Sequence, residues 1–337
     1  MKIKFPKFKK LLPGLKKNVS LKNYTTFKIG GPAKYFFETK NKKDLIKAIL
    51  VAKSKKLPFF ILGGGSNLLV SDEGFRGLVI KILFSKSYFL NSQISAEAGT
   101  ILAELLSATL NTGLTGLEWA AGIPGTVGGA IYGNAGAFKK SMKDITKTVT
   151  VLEIKNQKSN IKNLRNKDCK FCYRNSIFKQ KKNLIILSAT LQLKKGNKLK
   201  IEKRIKEYLN YRKETQPLNF PSAGSVFKNP KNFSAGELGE EDKSSSLSTE
   251  LPKEAKVRKR TKFSCDFAAA RLIEECGLKG KRIGNVKISE KHANFIVNLG
   301  GGKAKDVKKL INLAKKKVKE KSGITLEEEI CYLGFKN

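Results

Sequence analysis

Three side chains in this sequence could do chemistry, and each stands in an unusual neighbourhood. Ser225 lies in PSAGSVFKNP, residues 221–230, where small residues crowd the hydroxyl and prolines bracket the stretch. A serine is a weak acid, so this setting fits either a turn or a hydroxyl delivered to one crowded point. Arg174 lies in CKFCYRNSIFK, amid Phe171, Tyr173 and Phe178. A partly buried guanidinium there needs an anionic partner, either a salt-bridging carboxylate or a carboxylate or enolate group of a substrate. LEEEICYLG sets Glu327, Glu328 and Glu329 at the start of a strand, where alternation turns Glu328 away from the other two. Such glutamates are ordinarily solvated; one used as an acid must be buried with a raised pKa. The single histidine, His292 in SEKHANFIVN, reads as a structural residue, and its being alone excludes a histidine-rich metal site. Cys169 and Cys172 lack the second cysteine pair or nearby histidine that zinc requires, so no metal is expected.

Two glycine-rich segments point to a phosphate-bearing ligand. LGGGSNLLVSD, residues 62–72, follows a strand, and GLEWAAGIPGTVGGAIYGNAGA covers residues 116–137. Glycines let backbone N–H groups approach a pyrophosphate, and Ser66 and Asn67 add donors. Neither spacing is that of a Rossmann fingerprint or a P-loop. A pair of such segments in adjoining blocks fits a dinucleotide held between them.

The elements that must position these groups follow from periodicity. A β-α-β beginning covers about residues 20–84, with a helix in KKDLIKAILVAKSKK between AKYFFETK and the strand of LPFFILGGGSNLLV. A second block, residues 85–198, holds QISAEAG, the helix TILAELLSATLNTG, and the strands TVTVLEI and NLIILSATLQL. A third begins with the helix KIEKRIKEYLNYRKE and includes AKDVKKLINLAKKKVKEKSG, which lines up Val307, Leu310, Ile311, Ala314 and Val318 and stops at Gly323. The fold class is therefore α+β. The expected divisions are a basic lead-in over 1–22, two blocks at 23–84 and 85–198, and a third at 199–337. A polar stretch at about 231–262 reads as an insertion.

The formal charge is +40, and lysine outnumbers arginine by 59 to nine. The lysines are spread over every segment rather than gathered on one face, so no nucleic acid is expected. The plain reading is a solvated lysine coat; the functional one is a field that attracts anionic ligands such as a diphosphate. An odd five cysteines, no apolar run long enough to span a bilayer and no signal-peptide core place the chain in a reducing cytoplasm, with no membrane association.

Taken in order, GGGSNLLVSD, GLEWAAGIPGTVGGAIYGNAGA, YRNSIFK, QPLNFPSAGSVFKNP, LIEECGLKG and SEKHANFIVN closely resemble the UDP-N-acetylenolpyruvoylglucosamine reductases of bacterial peptidoglycan synthesis. The spacing from Arg174 to Ser225 is similar to the shorter branch, without the tyrosine-bearing loop. The resemblance implies a vanillyl-alcohol-oxidase-type (PCMH-type) FAD domain of two α+β subdomains and a C-terminal α+β substrate domain. It implies non-covalent FAD in the backbone of Leu62, Gly63, Gly64, Gly65, Ser66 and Asn67 and of Gly122, Ile123, Pro124, Gly125, Thr126, Gly128, Gly129 and Ala130. NADPH reduces the flavin, which passes hydride to the enolpyruvyl methylene of UDP-N-acetylglucosamine enolpyruvate. By the same carry-over, Arg174 and Glu329 stabilise the enolate-like intermediate and Ser225 donates the proton that completes UDP-N-acetylmuramate. Tyr173, Gln216, Lys228 and Asn229 contact substrate, the last two near its diphosphate, in a monomeric enzyme. The long insertion after Pro230 departs from the family pattern. An FAD-linked oxidase of the same fold, acting on another hydroxy acid or sugar, is the alternative; many such enzymes tether flavin through a histidine near the first glycine loop, where this chain has none.

Overall fold

The computed structural model describes residues 5–155, 158–230 and 268–335; the expected insertion at about 231–262 lies outside them. The first sheet has four strands in the order Lys16–Ser20, Pro32–Thr39, Phe75–Ile82 and Phe59–Leu62. The outer pair at Lys16–Ser20 is antiparallel and the remaining pairings are parallel. Residues 5–20, read from the sequence as a lead-in, are built into this unit. Phe8 and Leu12 of the helix Phe5–Leu11 and its following turn are fully buried, and Lys16–Ser20 supplies an edge strand.

The helix Lys42–Ser54 covers the first sheet with Leu45, Ala48, Ile49 and Ala52, at the spacing that puts them on one face. It starts where Asn41 Oδ1 accepts the backbone N–H of Asp44 at 2.8 Å. The second sheet is antiparallel, in the order Lys158–Arg165, Thr146–Lys155, Leu184–Gln192, Gln93–Glu97 and Ser87–Leu90. The two sheets share one core that contains Ile49, Ile80, Ile94, Val149 and Leu187.

The third sheet runs Ser222–Ser225, Phe295–Asn298, Val286–Ile288, Arg282–Ile283, all antiparallel. The helices Ala269–Glu275 and Ala304–Ser322 pack on it. The latter buries Val307, Leu310, Ile311, Ala314 and Val318 and ends at Gly323 in the left-handed conformation, φ +72°, as its periodicity predicts. Its beginning is unexpected. The backbone N–H groups of Ala304 and Lys305 donate to Asp72 Oδ1 at 2.8 Å and Oδ2 at 3.0 Å, so the acid ending the first glycine motif caps a helix of the third unit. The chain then comes back. Cys331–Leu333 pairs in parallel with Leu68–Val70, which directly follows the first glycine loop.

Candidate active site

The two glycine segments meet. A Cβ on Gly64 would lie 2.7 Å from Gly125 Cα, and one on Gly63 would lie 2.7 Å from Thr126 Oγ1. Backbone cannot yield as a flexible side-chain tip does, so Gly64 is required by loop-on-loop packing as well as by any ligand. Gly63 is held from behind by Lys81, whose Nζ donates to its carbonyl; burial pushes that ammonium's pKa down. Thr126 caps the helix Val127–Gly133 by accepting from Gly129 N at 3.4 Å. Leu62 and Ala130 are core positions, so only their backbone is offered to a ligand. Ile123 packs partly into the core and Pro124 is exposed.

The first loop also reaches the C-terminal strand. Asn67 Nδ2 donates to the Glu329 carbonyl at 3.1 Å, and Asn67 O accepts Cys331 N at 2.9 Å. The Asn67 amide, expected to serve the cofactor, is at least half spent on placing Glu329. Thr26 makes the parallel connection to the other strand, its Oγ1 donating to the Ser222 carbonyl at 2.7 Å.

Glu329 and Arg174 face each other, with Arg174 Nε 2.9 Å from Glu329 Oε1. The N–H is not aimed along that line, so this is an ion pair rather than an aligned hydrogen bond. Arg174 has φ +53°, rare for a residue with a side chain, and is held in place from both ends. Its Nη1 donates to the Gly136 carbonyl at 2.8 Å, and its own carbonyl accepts Lys179 Nζ at 2.8 Å. Burial pushes the Glu329 carboxyl up from its ordinary pKa, against the pull of Arg174, Lys179 and Lys228. The neighbouring acids go elsewhere: Glu328 binds Lys315 and Tyr332, and Glu327 pairs with Lys228 at 3.0 Å.

Ser225 ends the edge strand of the third sheet, opposite Phe295. It follows Gly224 at φ +76°, where an added Cβ would have nothing within 4 Å. Val226 ties this strand to the glutamate, its carbonyl accepting Glu329 N at 2.8 Å. Lys228 N continues the pairing to Glu327 O at 2.8 Å. Asn229 N lies 3.3 Å from Tyr173 Oη, and Asn229 Oδ1 accepts Ala269 N at 3.1 Å. Tyr173, Lys228 and Asn229 are therefore grouped on the Arg174 side. Gln216 sits at the end of the helix Lys198–Thr215, its N–H on the Arg212 carbonyl at 2.8 Å.

Sequence reasoning missed Lys179, Asp72 and Arg212. Lys179 stands in the quoted YRNSIFK, five residues beyond Arg174, a distance that only the short helix Ile177–Gln180 brings to contact. Arg212 sits in the last turn of Lys198–Thr215, four residues before Gln216, and is only 9% exposed with Nε and Nη2 unpartnered. His292 is structural: Nδ1 accepts Asn294 N at 3.3 Å, its ring lies edge-on to Phe295, and burial pushes its pKa down to about 4.

The donors, the open face beside Gly224 and a buried cation without a partner all fit a flat, anionic cofactor. Architecture and site together define an FAD-dependent oxidoreductase with a separate C-terminal domain, and an FAD-binding-domain family model matches residues 33–164. A second model, for the C-terminal domain of UDP-N-acetylenolpyruvoylglucosamine reductase, matches residues 216–333. The reductase of that name from Caldanaerobacter subterraneus subsp. tengcongensis is 41% identical over 95% of this chain and 93% of its own. That from Anoxybacillus flavithermus is 39% identical over 96% and 95%. The crystal structure of the Thermus caldophilus enzyme is 33% identical and superposes with a TM-score of 0.72, covering 94% of this chain and 98% of that one. The chain belongs to the UDP-N-acetylenolpyruvoylglucosamine reductase family.

Proposed function

We propose that this chain reduces UDP-N-acetylglucosamine enolpyruvate to UDP-N-acetylmuramate at the expense of NADPH, with Ser225 as proton donor and Arg174 and Glu329 as stabilisers of the enolate. Bound FAD supplies the two-electron carrier between NADPH and the enolpyruvyl methylene. The observation that carries the residue assignment is a convergence. Arg174 of the second sheet's unit ion-pairs with Glu329, and the Glu329 N–H is bonded to the residue following Ser225.

The chemistry follows from those positions. Hydride arriving at the methylene carbon leaves a carbanion beside the carboxylate, which spreads the charge as an enolate. Arg174 lowers the energy of that charge electrostatically, and Glu329, once it takes up a proton, donates a hydrogen bond to it. Ser225 passes its proton to the α-carbon and is reprotonated from solvent, which sets the product's new C–H bond. Lys228 and Asn229, with Tyr173 alongside, hold the diphosphate, and Gln216 supplies a further substrate contact. The cofactor rests between the units at 23–84 and 85–198, and the substrate on 199–337. The enzyme acts as a monomer in the cytoplasm, where NADPH and nucleotide sugars are found; its elution volume in size exclusion tests the former.

The decisive experiment compares NADPH oxidation with and without the enolpyruvyl sugar in wild type and Ser225→Ala. Expected is a fall of roughly 10²–10⁴-fold in substrate-dependent turnover, with flavin reduction by NADPH retained. Wild-type turnover in Ser225→Ala would refute the proton-donor role.

A further inference from the structure

The reaction as described leaves Lys179 unused, although this half-buried ammonium stands beside both Arg174 and Glu329. Residues 172–175 form a tight turn in which Cys172 and Asn175 exchange backbone hydrogen bonds of 3.1 Å. Arg174 takes the third position at φ +53°, a conformation that turns ordinarily give to glycine or asparagine. An arginine persists there only where its surroundings hold it. Lys179 holds its carbonyl, with Nζ at 2.8 Å. The lysine is itself anchored. Ile177 and Phe178 of the same short helix are buried, and Ser176 Oγ donates to the Tyr132 carbonyl at 2.6 Å. The Tyr132 ring lies against the ammonium, its centre 5.9 Å from Nζ.

The charge of Lys179 is placed as well as its hydrogen bond. Lys228 spends its ammonium on Glu327 at 3.0 Å, and Arg174 its guanidinium on Glu329 at 2.9 Å. Lys179 forms no salt bridge among the described residues, so its charge acts on Glu329 without a carboxylate of its own. Burial pushes the Lys179 pKa down; Cys331 and Glu329 oppose that push, and Lys228 and Arg174 add to it.

We propose that Lys179 is the positioning residue of the catalytic pair: it locks the left-handed backbone of Arg174 so that the guanidinium meets the enolate, and its charge decides how firmly Glu329 holds a proton. The inference rests on the reading of Arg174 and Glu329 as stabilisers of that enolate. The two halves are separable. The hydrogen bond governs where Arg174 points, hence the rate of flavin reoxidation by substrate. The charge governs the proton on Glu329, hence the pH at which that rate declines.

The test follows FAD-loaded enzyme by rapid mixing, first reduced by NADPH and then reoxidised by the enolpyruvyl sugar. Lys179→Met is expected to slow reoxidation at least about tenfold, with FAD still bound and still reduced by NADPH. Glu329 loses a neighbouring cation, so its pKa rises and the alkaline limb moves up by about half a pH unit or more. Lys179→Arg keeps a charge and a donor, and is expected to return the limb to its wild-type position and recover much of the rate. Because Lys179 acts through Arg174, adding Lys179→Met to Arg174→Ala is expected to slow reoxidation little further. Wild-type reoxidation in Lys179→Met, an unmoved limb, or a loss that adds in full to that of Arg174→Ala each overturns the proposal. If Lys179→Met binds no FAD, Lys179→Gln is judged by the same three outcomes. Wild-type reoxidation in Arg174→Ala itself refutes the underlying reading of the site and the proposal with it. A slow Arg174→Ala beside a wild-type Lys179→Met refutes the proposal alone.

Discussion

At the scale of single residues, the proposed site sets one carboxyl where burial disfavours its charge. Burial pushes the Glu329 pKa up against the pull of Arg174, Lys179 and Lys228, and in the proposed mechanism the protonated carboxyl is the form that donates to the enolate. The sign follows: the useful form is the protonated one, so reduction of the enolpyruvyl sugar slows as pH rises through the raised pKa. Glu329→Gln carries a permanent neutral donor. It is expected to flatten that alkaline limb while lowering the maximal rate about tenfold or more, as read from pH profiles of flavin reoxidation by substrate. A limb that stays unchanged in the variant assigns the titration to another group. The choice among Glu327, Glu328 and Glu329 was visible in sequence only through family likeness; alternation separates Glu328 but not the other two. What separates them physically is the destination of each side chain, Lys228 for Glu327 and Arg174 for Glu329.

At the scale of elements, the motifs do two jobs at once. LGGGSNLLVSD reads as a phosphate loop, yet Gly64 is pressed on Gly125, Asn67 holds Glu329, and Asp72 caps Ala304–Ser322. Gly64→Ala forces two backbones apart, and the expected result is protein with at least about tenfold weaker FAD binding, measured by flavin fluorescence on titration of the stripped enzyme. Asp72→Ala removes the cap from two N–H groups and should destabilise the protein by about 1–2 kcal/mol, measured by denaturant unfolding. Unaltered stability would show that solvent replaces the carboxylate at no cost. The helices were legible because their apolar spacing is local, as in Val307, Leu310, Ile311, Ala314 and Val318. The strand pairings were not, because nothing in Leu68–Val70 names Cys331–Leu333 as its neighbour. Lys179 and Arg212 stayed hidden for a related reason: a lysine or arginine on a helix is ordinarily solvated, and only tertiary burial makes it informative.

At the scale of the whole molecule, a formal charge of +40 surrounds a site whose reductant and substrate both carry phosphates. Long-range attraction of this kind raises encounter rates and is screened by salt. Between roughly 20 and 200 mM salt the kcat/KM for both NADPH and the nucleotide sugar is expected to fall several-fold while kcat changes little. A flat response in stopped-flow measurements would reduce the lysine coat to a matter of solubility. The return of the chain to its first glycine loop has a consequence in time. The hydrogen bond from Asn67 to Glu329 spans 262 positions of sequence, and the strand pairing beside it is equally distant. Loops of that length close late and slowly. During synthesis both glycine segments leave the ribosome long before the glutamate does, so a nascent chain can gather its cofactor parts while its catalytic trio is still incomplete. If Glu329 acts as proposed, catalytic competence waits on that one long-range closure.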